Sequence, residues 1–415
     1  MDLRSAISIL GNEITDFDEN IGHEDLFKFI KENRLWQKPF TVNLDGKKLA
    51  QNFIASREHL CKYLGIRREN LAEFLSKIDY NGDIEIVEDN PLKKTNWTLK
   101  DLPIPKYFER DGGRYITAGV VIATRDEDDV NAYNACIHRL MVKSEGELVA
   151  RLVPPRHTYL MWKDAVERSE DLKILIAVGC HPLFLFAAST RVPAGKEFGY
   201  ASKLMNGLKL YRIDGLLTPM AEIVISARIT GRKAEEGPFV DITGTYDKIR
   251  MEPVIEIDRI FARENPIFYS ILPGGYEHQV LMGIPYEPVI FKAVSNVCRV
   301  KNVILTAGSR HYFHAIVQIE KVTEGDGKNA IISALSAHPS IKGVTVVDED
   351  IDIYSHEDIE YAIATRFQAD RDFVLIRGVR GSSLDPSSKE DGTTAKWGID
   401  ATKYLSRKDE FERVF

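Results

Sequence analysis

The chain has 415 residues, and its 55 Lys and Arg face 62 Asp and Glu for a net charge of −7. That acid excess excludes a general nucleic-acid surface, which needs a basic footprint. Hydrophobic residues at 44% and charged residues at 28% are the balance of a globular chain long enough for two or three domains.

The N-terminus, MDLRSAISILGNEITDFD, carries acids where a secretory signal needs bases. Residues 1–105 read as an N-terminal α/β domain. DLRSAISIL and REHLCKYLGI have helical spacing, and FTVNL and IEIVE read as short strands. The stretch NPLKKTNWTLKDLPIPKYFERDGG is rich in Pro, Lys and turn residues and reads as a linker.

Residues 106–299 are dominated by β signals. RYITAGVVIATRD is β-branched and near-continuous, and NACIHRLMV and ELVARLV flank a KSEG turn. RHTYLMWKDAVERS reads as a helix. The apolar run ILIAVGCHPLFLFAA is too short for a membrane span and is broken by Gly179, His181 and Pro182, so it reads as a strand, a turn and a helix start. LKLYRI, AEIVISARIT and MEPVIEI follow as strands. So many strands with so few helices imply an α+β chain with a central barrel or sandwich.

Residues 300–415 alternate again. NVILTAG, HAIVQI, GVTVVDED and FVLIRG read as strands, GKNAIISALSAH and SHEDIEYAIATRF as helices, and GSSLDPSSKEDGTTAKWGID as a closing polar loop. The acidic DEDIDIY run lacks EF-hand spacing and reads as a solvated strand end.

Familiar catalytic signatures are missing. The chain has no G-x-S-x-G, no P-loop, no G-x-G-x-x-G after a strand and no H-E-x-x-H. Four cysteines, Cys61, Cys136, Cys180 and Cys298, stand far apart without a C-x-x-C, which argues against a zinc finger or disulfide framework and fits a reducing cytoplasm.

A few polar residues are oddly placed. Arg139 lies in an apolar strand, where a guanidinium needs a carboxylate partner. Glu236 and Asp241 flank the apolar Gly237–Val240 turn in EEGPFVDITG. Each also has an ordinary reading: a rim ion pair for Arg139, a strand-end amide for Asn134, a helix-start residue for His157, an exposed acid for Glu197, and a solvated loop with one buried anchor for the turn.

In their order and distances, DLRSAISIL, NACIHRLMV, GCHPLFLFAA, AEIVISARITGRKAEEGPFVDITG, ILPGGYEHQVLMGIP, VVDEDIDIYSHEDIEYAIATR, SSLDP and KWGIDATK resemble the UbiD family of prenylated-flavin decarboxylases. The resemblance implies an N-terminal α/β unit, a central split β-barrel that binds prenylated FMN, and a C-terminal α/β oligomerisation domain. It assigns Asn134, Ile137, His138, Arg139 and Lys396 to the cofactor, and Asn134, His157 and Glu197 to a metal. It implies catalytic roles for Arg139, Glu236 and Asp241.

The hard or borderline donors of that metal set suit Mn²⁺ or Mg²⁺, and the family often adds K⁺. Val240 stands where glycine is commoner, and His138 where many members carry Tyr. Asn134 and Arg139 are an odd number of residues apart, so in a straight strand they face opposite sides, unless a bulge intervenes. Asp241 would return a proton after CO₂ leaves, its carboxyl raised by the apolar loop and by Glu236.

NACIHRLMV and RLVPPRHTYLMW look most like archaeal members, some of which decarboxylate trans-anhydromevalonate 5-phosphate to isopentenyl phosphate. Arg151, Arg156 or Lys203 would then meet the substrate phosphate. A phenolic acid such as 4-hydroxybenzoate is the alternative substrate, and a non-catalytic flavin-binding subunit the alternative class. The implied partners are a small carboxylic acid, a flavin prenyltransferase that supplies the cofactor, and copies of the chain itself as a dimer or hexamer. No nucleic acid and no membrane span are expected.

Overall fold

A computed structural model of the chain describes residues 1–414. Its contacts divide it into one unit formed by Met1–Gly65 with Ile78–Leu281, and another formed by Ile66–Lys77 with the chain from Met282 onward.

The first unit begins with a helix, Leu3–Leu10, capped by the Asp2 side chain, which accepts from the Ser5 amide. A four-stranded sheet follows, in the order Thr15–Ile21, Phe40–Leu44, Lys47–Gln51 and Phe268–Tyr269. The acidic sequence TDFDENI hides its strand character, because its side chains stay largely exposed. Ile84–Val87 forms a strand as expected, but it pairs with Leu208–Ile213. The presumed linker is not solvated: Leu99, Leu102, Ile104 and Tyr107 are buried in the main apolar core of this unit.

The central sheet curls back onto itself. Its order is Tyr115–Ile116, Leu140–Val142, Glu147–Ala150, Arg250–Ala262, Ile223–Glu236, Leu172–Val178, Val120–Thr124 and Tyr133–Ile137. The pairs at the two ends of this path belong to the same two chain segments. Tyr115–Ile116 leads into Val120–Thr124, and Tyr133–Ile137 into Leu140–Val142. The result is a split barrel.

Both RYITAGVVIATRD and NACIHRLMV are therefore interrupted strands rather than continuous ones. Val120 faces Ile137, but Ile116 faces Leu140, so four steps on one strand match three on the other. This one-residue slip is a bulge, and it lets the sheet bend at its seam. It removes the odd-spacing problem, because His138 and Arg139 lie in the gap between Ile137 and Leu140, outside the strand ladder. Gly119 is needed there, since a Cβ would sit 2.9 Å from the Ile176 side chain.

The apolar run resolves as expected into the strand Leu172–Val178, a turn at Gly179 with φ of +79°, and the helix Pro182–Ser189. Among the described residues no helix is long and apolar enough to cross a membrane.

The second unit holds a five-stranded sheet ordered Arg299–Leu305, His314–Glu320, Gly343–Asp348, Thr393–Ala401 and Phe373–Arg380. The helices Asp326–Ala337 and His356–Arg366 pack on it. Two sequence expectations fail here. The closing polar loop ends in an interior strand, Thr393–Ala401, whose buried positions include Lys396, Gly398 and Asp400. With polar residues and glycine facing inward, the period-two apolar signal is lost. The DEDIDIY run is not a solvated strand end either. Asp348 is 7% exposed and pairs with Arg366, and Asp350 pairs with both Arg366 and Lys403.

Candidate active site

The seam of the barrel presents Arg139, and the Ile223–Glu236 strand brings an acid to meet it. Glu236 is the last residue of that strand, opposite Arg250. The chain then turns through Gly237, whose φ of +97° favours glycine. Gly112 permits a close approach at this turn, since a Cβ on it would lie 2.2 Å from the Gly237 carbonyl oxygen. Phe239–Val240 pairs with Tyr246–Asp247 to make a short hairpin. Phe239 is buried with Tyr115, Met141 and Val149 in a small apolar cluster, and its ring lies 4.9 Å under the Arg139 guanidinium.

This arrangement explains the mixed EEGPFVDITG sequence. The apolar residues form the floor, and the acids flank the cation above it. Arg139 Nη2 donates to Glu236 Oε2 at 2.8 Å and faces Asp247 Oδ2 at 3.0 Å, while Nη1 is 3.5 Å from Asp241 Oδ2. Tyr115 donates its hydroxyl to the other oxygen of Glu236 at 3.2 Å. Arg139 Nε is buried with no acceptor, so one donor of the guanidinium is unused.

The charges are unequal to one another in environment. Glu236 is fully buried, and burial pushes its carboxyl above the ordinary range although Arg139 pulls the other way. Burial is the largest influence on Arg139 and opposes its charge, but Glu236, Asp247 and Asp241 together outweigh it, and the guanidinium is raised. Asp247 is held down at about 2, since bonding to Arg250 and the field of Arg139 overcome its burial.

His278 belongs to the same neighbourhood. Burial lowers its imidazole and Asp241 works against that, while its Nδ1 accepts from the Gly274 amide at 3.0 Å. Asp247, Tyr115 and His278 were not among the residues singled out from sequence. Only Asp247 left a signal, as the acid across the hairpin from Phe239.

A second polar group is built on the Tyr133–Ile137 strand. Asn134 donates to Thr158 Oγ1 at 3.0 Å and to Cys136 Sγ at 3.4 Å. Cys136 Sγ also lies 3.0 Å from His138 Nε2. His138 Nδ1 faces the Arg151 carbonyl at 3.1 Å and therefore carries the proton. Burial opposes ionisation of both partners, but each favours the charged form of the other, so the Cys136 thiol is lowered and the His138 imidazole raised. The two-residue spacing of 134, 136 and 138 could have revealed this shared face. Ile137, half-buried, ends the strand.

His157 starts the helix His157–Glu167, and its Nδ1 lies 3.2 Å from Glu197 Oε1 at the start of the helix Glu197–Met205. Glu197 is not the exposed acid of the ordinary reading: it is 5% exposed. Burial raises its carboxyl despite His157, and its Oε2 is buried without a partner. No group of three His, Cys, Asp or Glu able to hold a metal occurs among the described residues. The expected set supplies two of those types, with the Asn134 amide as its third member. An unpartnered buried carboxylate oxygen beside an imidazole fits a cation.

Lys396 lies in the second unit, 5% exposed. Its ammonium donates to the carbonyls of Leu335 at 3.2 Å and Pro339 at 2.9 Å, and burial lowers it.

Comparison with known proteins agrees with this architecture. Residues 83–276 match the UbiD 3-octaprenyl-4-hydroxybenzoate carboxy-lyase Rift-related domain, and residues 279–401 the matching C-terminal domain. An anhydromevalonate phosphate decarboxylase from Archaeoglobus fulgidus is 58% identical over 417 residues, covering 100% of this chain and 96% of its own. The UbiD-class enzyme HmfF from Pelotomaculum thermopropionicum, solved in complex with FMN, superposes with a TM-score of 0.94 at 31% identity, over 100% of this chain and 97% of its own. An evolved dimeric form of HmfF in complex with prFMN gives 0.89 at 29% identity, over 100% and 96%. With a split barrel carrying a buried arginine among acids, and with likeness running through both units, the chain belongs to the UbiD family of carboxy-lyases.

Proposed function

We propose that the chain is a prenylated-FMN-dependent decarboxylase that converts trans-anhydromevalonate 5-phosphate to isopentenyl phosphate and CO₂. The observation that carries the decarboxylase reading is the buried Arg139 with its unpartnered Nε edge among Glu236, Asp241 and Asp247. The choice of substrate is supported by likeness to the Archaeoglobus fulgidus enzyme.

When bound, prenylated FMN supplies an electron sink for the bond that breaks as CO₂ leaves. The chain's own residues bind, orient and protonate. Arg139 orients the substrate carboxylate through its unpartnered Nε, and Glu236 fixes the plane of the guanidinium. Asp241 returns a proton to the carbon that lost CO₂, a step for which a placed acid contributes roughly 10²- to 10⁴-fold.

Ile137 and His138 would line the cofactor. Asn134, His157 and Glu197 would hold Mn²⁺ or Mg²⁺ at the phosphate end, with Glu197 Oε2 as the open donor atom, and K⁺ would accompany it. A flavin prenyltransferase would supply the cofactor in the cytoplasm, and residues 300–415 would mediate self-association.

Turnover decides the proposal. Enzyme produced together with a flavin prenyltransferase is expected to release CO₂ from trans-anhydromevalonate 5-phosphate. Activity confined to 4-hydroxybenzoate would overturn the substrate. Absence of any turnover, with unmodified FMN bound, would favour a flavin-binding subunit.

A further inference from the structure

We infer that Arg250 recognises the phosphate of the substrate and so sets specificity for a phosphorylated acid; this rests on the decarboxylation proposed at Arg139. The two arginines are coupled through one atom. Asp247 Oδ2 lies 3.0 Å from Arg139 Nη2 and 2.6 Å from Arg250 Nη1. The strand register gives the same placement independently, because Arg250 stands directly opposite Glu236 and thus on the same face of the sheet.

Arg250 uses only Nη1 in its bonds, to Asp247 and to the Lys248 carbonyl. Among the described residues, its Nε and Nη2 have no partner, and the side chain is 31% exposed. That free edge is a two-pronged donor suited to phosphate. Lys248 adds an exposed cation to the same rim.

The separation suits the substrate. Its carboxyl carbon and phosphorus are six bonds apart, roughly 7 Å at ordinary bond lengths. Asp247 Oδ2 lies within 3.0 Å of a nitrogen on each guanidinium, so one molecule of that length can reach both cations. A carboxylate on Arg139 and a phosphate on Arg250 would therefore be held by one rigid group, with Asp247 setting the spacing.

The cations expected from sequence are placed less well. Arg151 is bound to Glu252 at 2.5 Å and to the Leu152 carbonyl. Lys203 pairs with Asp79 at 3.4 Å. Arg156 adjoins His157, at the end of the site proposed for the cofactor phosphate.

The test compares cofactor-loaded wild type with R250Q and R250K on trans-anhydromevalonate 5-phosphate and on the unphosphorylated acid. R250Q is expected to raise KM for the phosphorylated acid about tenfold or more, with kcat changed far less. Its preference for the phosphorylated over the unphosphorylated acid should fall by a similar factor, and R250K should recover part of it. An equal loss on both acids would overturn the inference, since Arg250 would then act only by positioning Asp247. An unchanged preference would overturn it as well. If wild type ignores the phosphorylated acid while decarboxylating another, the proposed substrate itself fails and the inference falls with it.

Discussion

Two buried arginines in this chain have similar surroundings and different consequences. Arg366 in the second unit bonds Asp348 and Asp350, and Lys403 also bonds Asp350, so two cations meet two acids. Arg139 in the first unit meets Glu236, Asp241 and Asp247, and Arg250 is the second cation, so two cations meet three acids. In the balanced network Asp350 is held down at about 2, although burial still pushes Asp348 up. The Arg139 cluster has one acid more than cations, and burial pushes the carboxyl of the fully buried Glu236 up.

The contrast is broken most directly by removing each cation. Arg366→Ala should lower unfolding stability by about 3–5 kcal/mol, because a buried acid loses its partner, and chemical denaturation measures this. Arg139→Ala should carry a comparable stability loss and also eliminate decarboxylation in whatever protein remains folded. If Arg139→Ala were folded and still active, the difference drawn between the two networks would be wrong.

Asp241→Asn sharpens the contrast by leaving the arginine in place. It should reduce kcat roughly 10²- to 10⁴-fold while flavin content and circular dichroism stay as in wild type. Glu197→Gln probes the other end of the site. It should lower bound metal and flavin in the purified protein about tenfold, read by metal analysis and flavin absorbance.

The smallest effect concerns pH. Burial opposes the charge of Asp350, but bonds to Arg366 and Lys403 outweigh it and hold it at about 2, against 3.8 for an ordinary Asp. Its folded value is depressed, so its stabilisation is fully present above about 4 and is lost as pH falls toward about 2. Asp350→Asn should melt lower than wild type at neutral pH, with the gap closing over that window and activity per folded enzyme unchanged. Asp247, also held at about 2, should give the same pH signature in Asp247→Asn, but with decarboxylation impaired.

Much of the fold was legible because apolar alternation and helix spacing are local signals. FTVNL, IEIVE, LKLYRI and HAIVQI all formed strands, and RHTYLMWKDAVERS formed a helix. Thr15–Ile21 and Thr393–Ala401 were not read as strands, since acids cover the first and Lys396, Gly398 and Asp400 fill buried positions of the second. Within the site, Arg139, Glu236 and Asp241 were named from sequence and are brought together. Asp247 and Arg250 were missed, because their importance comes from pairing across a hairpin and a strand register.

The order of residue types along the chain was enough to determine an α+β architecture, the family, and a cation in need of acids, since each depends on local pattern or on motifs in fixed succession. Tertiary structure decided which acids reach that cation and which one burial pushes up. Those depend on where the barrel seam slips by one residue and on how much water each carboxyl keeps. The first is set by the pairing of neighbouring segments at the seam, and the second by contacts between segments about a hundred residues apart.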